Sequence, residues 1–406
     1  MAEGVPAAKR DDRGSFEVSA STVPTFTQLK EFEEDLGYHF SEVLEAPLLK
    51  PHWISISLSH RCTYECQMCG VVKLLKGHEL PTELVKKTLD DIAAWRQDCV
   101  VLFTGGECFL RKDAFEIFAH SAGLGLKTEA VSNGSLIDAA LAERIVSSGL
   151  RNIAISLDGA SEPTHDAIRQ KGAFKKALAA LKNLAEAKRR RGSGPKISVW
   201  TTIMKENVSE LYDIIGLVKG LGAEYLGYHP VVVAQADMQN TSPDAPFWLK
   251  EGDLRELRCQ LDKIEAYRKE SGLVACLHDP YLWIEHFQGA VTKQQWKCNP
   301  FVFLSIGPDG KVLSCGASFG NLHEMSLDRC LATKDADGAR KLMKECRKPC
   351  LQTCWARPQS DCLPGITRRF IDAVKTREDR SQLTQEALRI LEGFEQKVER
   401  TMRCRR

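Results

Sequence analysis

From residue 54 onward the apolar positions switch repeatedly between two periods. Residues 54–58 alternate Ile-Ser-Ile-Ser-Leu, the pattern of a strand, whereas residues 84–95 space their apolar side chains at helical intervals. The same exchange recurs along the chain. Strand patterns fall at 100–103, 128–131, 152–157, 197–203 and 225–229, with helical patterns at 115–122, 139–147, 174–187 and 208–221 between them. Such alternation predicts an α/β fold of parallel strands joined by right-handed helical crossovers. Six strands are two short of a closed eight-stranded barrel, which leaves an open partial barrel or a doubly wound sheet.

Beyond residue 230 the pattern changes. Residues 233–246 are polar and proline-containing, a candidate linker, and 253–271 read as a polar-faced helix. A hairpin is expected from 302–306 and 311–313 around Pro308-Asp309-Gly310, and an amphipathic helix at 383–402. Residues 1–24 read as a mobile polar tail, followed by a helix over 25–43 and an entry segment up to residue 50. The N-terminus has no apolar signal region and no 18-residue apolar stretch exists, which points to a cytoplasmic chain without a membrane span.

Across 406 residues, 56 Lys and Arg nearly balance 54 Asp and Glu, so nothing calls for nucleic acid or anionic lipid as a partner. The basic stretch 188–196 reads as a solvated helix end rather than a phosphate site. Cysteine is the outlier. Fifteen thiols cannot all pair, and in a reducing compartment clustered cysteines are metal ligands or catalytic groups more often than staples.

The sharpest cluster is Cys62-Thr-Tyr-Glu-Cys66-Gln-Met-Cys69, in the loop after the first strand. Three thiols can hold one metal centre and leave a coordination position open. A tetrahedral zinc would recruit a fourth ligand such as His60, and an iron–sulfur cluster would ordinarily take four thiolates. Gly105-Gly106-Glu107 follows the second strand, Ser132-Asn133-Gly134 the third, and Ser156-Leu-Asp158-Gly159 ends the fourth. Each alone reads as a turn or cap. Together they occupy one rim, the carboxyl ends of the strands, where α/β folds bind ligands.

With these residues on one rim, the chain resembles the radical S-adenosylmethionine (SAM) superfamily over residues 50–232. The resemblance rests on the CxxxCxxC spacing, the GGE motif and the SLDG stretch leading to Ile168-Arg169. It implies that Cys62, Cys66 and Cys69 hold three irons of a [4Fe–4S] cluster whose fourth iron is chelated by SAM. It further implies that Gly105, Gly106 and Glu107 meet the methionine amino group. Asn133 and Ser156 would approach the ribose or carboxylate, and Arg169 would pair with the carboxylate. Tyr228 and His229 would lie near the adenine. Two departures stand out: Met68 where the family usually has an aromatic residue, and Cys108, read as a buried thiol, where proline is common.

The later cysteines resemble the family's SPASM or twitch extension. Cys298, the hairpin with Gly310, Cys315 and Gly320-Asn321-Leu322 agree with it, whereas the spacing of Cys346, Cys350 and Cys354 departs from the full pattern. The resemblance implies one auxiliary [4Fe–4S] cluster on Cys298, Cys315 and two of the last three, with thiols enough for two clusters. Structural zinc is the alternative there. The resulting expectation is a partial (β/α)6 barrel over 51–235, a linker and helix over 236–295, a cysteine-rich domain over 296–362 and a helical extension over 363–406.

The implied activity is cleavage of SAM to a 5′-deoxyadenosyl radical that abstracts a substrate hydrogen, with the auxiliary cluster assisting oxidation or crosslinking of a peptide. Two alternatives remain: a dehydrogenase or epimerase of a small molecule such as an aminosugar, and a zinc- or cluster-stabilised binding or redox-sensing protein. A one-electron donor such as flavodoxin or ferredoxin is the expected partner. Asp279 and Glu285 are candidate general bases, although surface charge explains either as well.

Overall fold

A computed structural model of the protein describes residues 49–71, 78–231, 243–275, 279–291 and 296–346. It also describes positions 9–10, 16–17, 34, 37–38, 41, 47, 351 and 356–358. Most of the expected tail over 1–24, most of the helix over 25–43, most of the linker and the helix over 383–402 lie outside the described residues. The chain divides into two compact units, Lys50–Arg357 and a unit formed by Met1–Leu49 with Pro358–Arg406. In the second, Lys9–Arg10 pairs antiparallel with Phe16–Glu17.

The larger unit carries the six expected strands: β1 (Trp53–Ser59), β2 (Val100–Gly105), β3 (Lys127–Ser132), β4 (Asn152–Ser156), β5 (Lys196–Ile203) and β6 (Tyr225–Pro230). They stand in sequence order and every neighbouring pair is parallel. The crossovers are α1 (Thr82–Trp95), α2 (Ala114–Gly123), α3 (Ala139–Val146), α5 (Ala173–Arg191) and α6 (Leu211–Gly220). Each lays one apolar stripe on the sheet; α1 does so with Val85, Leu89 and Ile92, spaced for one helix face. The basic end of α5 forms surface ion pairs, Lys188 with Glu224 and Arg189 with Glu186, as a solvated helix end should.

Two features were not expected from the periodicity. A short helix, α4 (Glu162–Ile168), stands between β4 and α5. Its start is held by Glu210, whose carboxylate accepts from the backbone of Ala160 at 2.8 Å and Ser161 at 3.1 Å and from the Thr164 hydroxyl at 2.6 Å. The second feature is the sheet's extent. After α7 (Glu251–Glu270), β7 (Val274–Ala275) adds beside β6, and α8 (Leu282–Phe287) follows. The expected hairpin, β8 (Phe303–Ile306) and β9 (Lys311–Ser314), is present in the register Ser305↔Leu313. Its first strand joins β1 in parallel, pairing Ser305 with Ser55, and β10 (Ala317–Asn321) closes that edge. The result is one open ten-stranded sheet running from β10 through β1 to β7. No helix among the described residues is long and apolar enough to cross a membrane.

Candidate active site

The loop between β1 and α1 carries the three clustered thiols, and its path is fixed by contacts with three neighbouring loops. The backbone of Gly106 donates to Ser59 at 2.7 Å and that of Glu107 to Arg61 at 2.8 Å. At Gly105 φ is +124°, and a β-carbon there would sit 2.3 Å from the Ser59 carbonyl; one on Gly106 would sit 2.0 Å from that of Arg61. These two positions therefore require glycine so that the β2 turn can pass beneath the cysteine loop. On another side, Gln67 donates to the carbonyls of Ile168 and Ala167 at the end of α4, satisfying helix-terminal acceptors. On the third, Nδ2 of Asn133 donates to Thr63 Oγ1 at 3.0 Å and approaches Cys62 Sγ at 3.6 Å.

Cys62, Cys66 and Cys69 line one cavity of about 350 Å³ at the carboxyl ends of the strands. Gly105, Gly106, Asn133, Ser156, Arg169 and His229 line it too, as does Met68. Glu107 does not. It is fully buried under the rim, where its carboxylate accepts from the Ser132 hydroxyl at 3.0 Å and the backbone of Asn133 at 2.9 Å and Phe109 at 3.3 Å. Burial raises its pKa despite those donors. Glu107 thus ties the β2 and β3 loops together. Tyr228 also turns away from the cavity, its hydroxyl donating to the Leu211 carbonyl at 2.7 Å. Cys108 is the buried thiol expected, with Sγ 3.4 Å from the Val131 carbonyl. Asp279 and Glu285 do not line the cavity.

The charge of the site centres on Arg169. Its Nε donates to the buried Asp158 carboxylate at 2.5 Å, and its Nη1 lies 3.9 Å from Cys66 Sγ. Burial opposes the guanidinium charge, but Asp158 and Cys66 outweigh it and hold Arg169 firmly protonated. Asp158 also accepts from the backbone of Thr202 at 2.8 Å, while its own N–H donates to Nδ1 of His165 at 3.0 Å. Burial drives His165 down to about 4, so its ring is neutral. Burial likewise raises the Cys62 and Cys66 thiols, Cys66 to about 11 against the lowering effect of Arg169. A ligated thiolate must lose that proton, and the neighbouring guanidinium compensates the charge left behind. Asp158, His165 and Glu210 escaped sequence reasoning; the SLDG stretch was the one signal for Asp158.

The donor set fits a multi-iron cluster better than a single ion. Among the described residues no three His, Cys, Asp or Glu side chains converge on one point, as a lone zinc would require. The three thiols instead face a shared open space beside a glycine cradle. Of the later cysteines, Cys350 and Cys354 lie outside the described residues, as does the side chain of Cys298. Cys346 caps the helix over Lys334–Glu345. Cys315 and Gly316 form the two-residue turn between β9 and β10, with φ of +48° and +79°. Asparagine or glycine is the ordinary occupant of such a turn, so a cysteine there is a costly choice.

Residues 56–218 match the Radical SAM superfamily. The AdoMet-dependent heme synthase of Methanosarcina barkeri is 31% identical over 182 residues, 44% of this chain and 50% of that protein. The mycofactocin maturase MftC of Mycobacterium ulcerans is 32% identical over 188 residues, 45% of this chain and 47% of that protein. The chain spans about half the length of these curated relatives. Among solved structures, Streptococcus suis SuiB bound to S-adenosylmethionine aligns with a TM-score of 0.56 at 15% identity, covering 70% of this chain and 66% of that one. That likeness is one of fold.

Proposed function

We propose, on the premise that residues 56–218 are a radical SAM domain, that the protein reductively cleaves SAM and uses the resulting radical to abstract a hydrogen atom from a peptide. The observation that carries this reading is the meeting of Cys62, Cys66 and Cys69 with Arg169 and the Gly105–Gly106 cradle in one cavity. Cys62, Cys66 and Cys69 would hold three irons of a [4Fe–4S] cluster. When bound, that cluster and SAM supply one-electron cleavage of the sulfonium and a carbon-centred radical.

The chain's own groups do the rest. Gly105 and Gly106 let the backbone approach the bound molecule closely, while Asn133 and Ser156 offer it hydrogen bonds from the β3 and β4 ends. Arg169, fixed by Asp158, is a cation set to meet a carboxylate and to balance the thiolates. Met68, Val71 and Val131 give the cavity apolar lining that excludes water from a radical. An auxiliary [4Fe–4S] cluster on Cys298, Cys315 and two of Cys346, Cys350 and Cys354 belongs to the same proposal, and the strained turn position of Cys315 supports it. A flavodoxin or ferredoxin would deliver the electron.

MftC among the relatives favours the peptide. The heme synthases favour a second reading, oxidation of a tetrapyrrole. Anaerobic reconstitution followed by iron and sulfide counting and an assay for 5′-deoxyadenosine tests the common premise. Wild type should bind about four irons at the first site and release deoxyadenosine, and Cys66→Ala should lose both. A fully loaded protein that neither binds nor cleaves SAM would overturn the reading.

A further inference from the structure

The cavity has two unlike walls. Asn133 and Arg169, at the β3 end and the end of α4, engage protein neighbours with their polar atoms at least in part, with Ser156 beside them at the β4 end. The opposite wall crosses β2, β1 and β8 and presents three hydroxyls, from Thr104, Ser57 and Ser305. Ser57 and Thr104 are register partners, and Ser305 is brought alongside by the parallel pairing of β8 with β1. Ser57 is 96% buried, the complement of its 4% exposure, and its Oγ has no hydrogen-bond partner. A β-carbon on Gly105 would stand 2.7 Å from that oxygen, so the glycine leaves the space beside it unfilled. Neither Thr104 nor Ser305 has a side-chain hydrogen bond among the described residues.

A buried hydroxyl left without a partner is costly, and one facing a cavity is completed by whatever occupies it. We infer that Ser57, Thr104 and Ser305 form the substrate-side subsite and receive a backbone amide of a peptide. The inference rests on the reading proposed above and selects between its two substrates. These three donors are neutral. The one permanently charged cation lining the cavity among the described residues is Arg169, already bonded to Asp158. A carboxylate pressed against the hydroxyl wall would lose its hydration with no facing cation, whereas an amide carbonyl needs only donors and its N–H can use a hydroxyl as acceptor. A polycarboxylate such as a tetrapyrrole suits this wall poorly. Ser305 further makes the C-terminal hairpin part of the substrate site, not only a carrier of cysteines.

The test uses the full chain, reconstituted anaerobically, with three fragment probes followed by saturation-transfer NMR: N-methylacetamide for a backbone amide, propionamide for a side-chain amide, and propionate for a carboxylate. Each is titrated with and without SAM. N-methylacetamide should give the strongest contact, reduced at least threefold in Ser57→Ala and in Ser305→Ala, while SAM affinity by calorimetry stays within twofold of wild type. Equal N-methylacetamide contact in wild type and both variants would overturn the inference, as would preference for propionate or propionamide. A large loss of SAM affinity in either variant would assign the hydroxyls to SAM and overturn it as well. Failure of the loaded wild type to bind SAM strikes the radical SAM reading instead, and the SAM-free titration then still decides the fragment preference.

Discussion

The two sides of the cavity solve opposite problems. Around Asp158 the groups facing it are engaged: Arg169, the Thr202 backbone and His165 Nδ1 all meet at this one residue and Asn207 takes its carbonyl, with His165 Nε2 left over as the unpartnered atom on this side. Across the cavity, Ser57 is left with an unpaired hydroxyl in an equally buried place. Saturation fixes geometry in advance, as a group that must hold a charged molecule in one pose requires. An open hydroxyl gives up some stability to keep a bond available. The difference indicates which wall was built for a constant ligand and which for a variable one.

Four experiments bear on that contrast. The largest effect should come from Asp158→Ala, which strands the buried Arg169 charge and costs about 3–5 kcal/mol in urea denaturation; a loss under 1 kcal/mol would mean the network is not a structural unit. Next is acid. His165 has its pKa lowered to about 4 from an ordinary 6.5, so it contributes stability above pH 6.5 that is lost as pH falls through 4. That loss is on the order of 3 kcal/mol. His286, also lowered to about 4 by burial, adds a similar slope. His165→Asn should therefore flatten the decline of the urea midpoint between pH 7 and pH 4 without abolishing it; identical slopes would remove His165 from the account. Gly106→Ala should follow at about 1–3 kcal/mol, with reduced iron loading because the cysteine loop must move off the alanine. Full loading with unchanged stability would contradict the close approach described. Smallest and opposite in sign is Ser57→Ala, expected to raise unfolding free energy by about 0.5 kcal/mol by removing an unsatisfied group. A clear destabilisation would show that the hydroxyl has a partner after all.

Much of the frame was legible because it repeats. The six strands, five long crossovers and hairpin all announced themselves through period or turn residues, and the three thiols through spacing. What escaped reading shares a cause. Helix α4 is about two turns long with a proline near its start, too short to show a period, and it is held by Glu210 from far along the chain. The union of β8 with β1 leaves no local trace, since parallel partners need no turn between them. Glu107 was legible as a residue and misleading as a direction. The motif placed it at the rim, but only the packed loops show that its carboxylate faces Ser132 and Asn133 rather than the cavity. His165 acts through the backbone of Asp158, and Asp158 in part through that of Thr202; backbone partners have no sequence signature.

The joining of β8 to β1 also has a temporal consequence. β1 is among the first parts of the sheet to leave the ribosome, yet the strand that covers its outer edge comes after all the others of the barrel. Until residues 303–306 emerge, that edge offers unpaired amides and carbonyls to any passing strand. Contacts so distant in sequence form slowly and late. During synthesis, then, the nascent chain holds its thiol loop beside an unfinished sheet, accessible from the flank that the hairpin later seals.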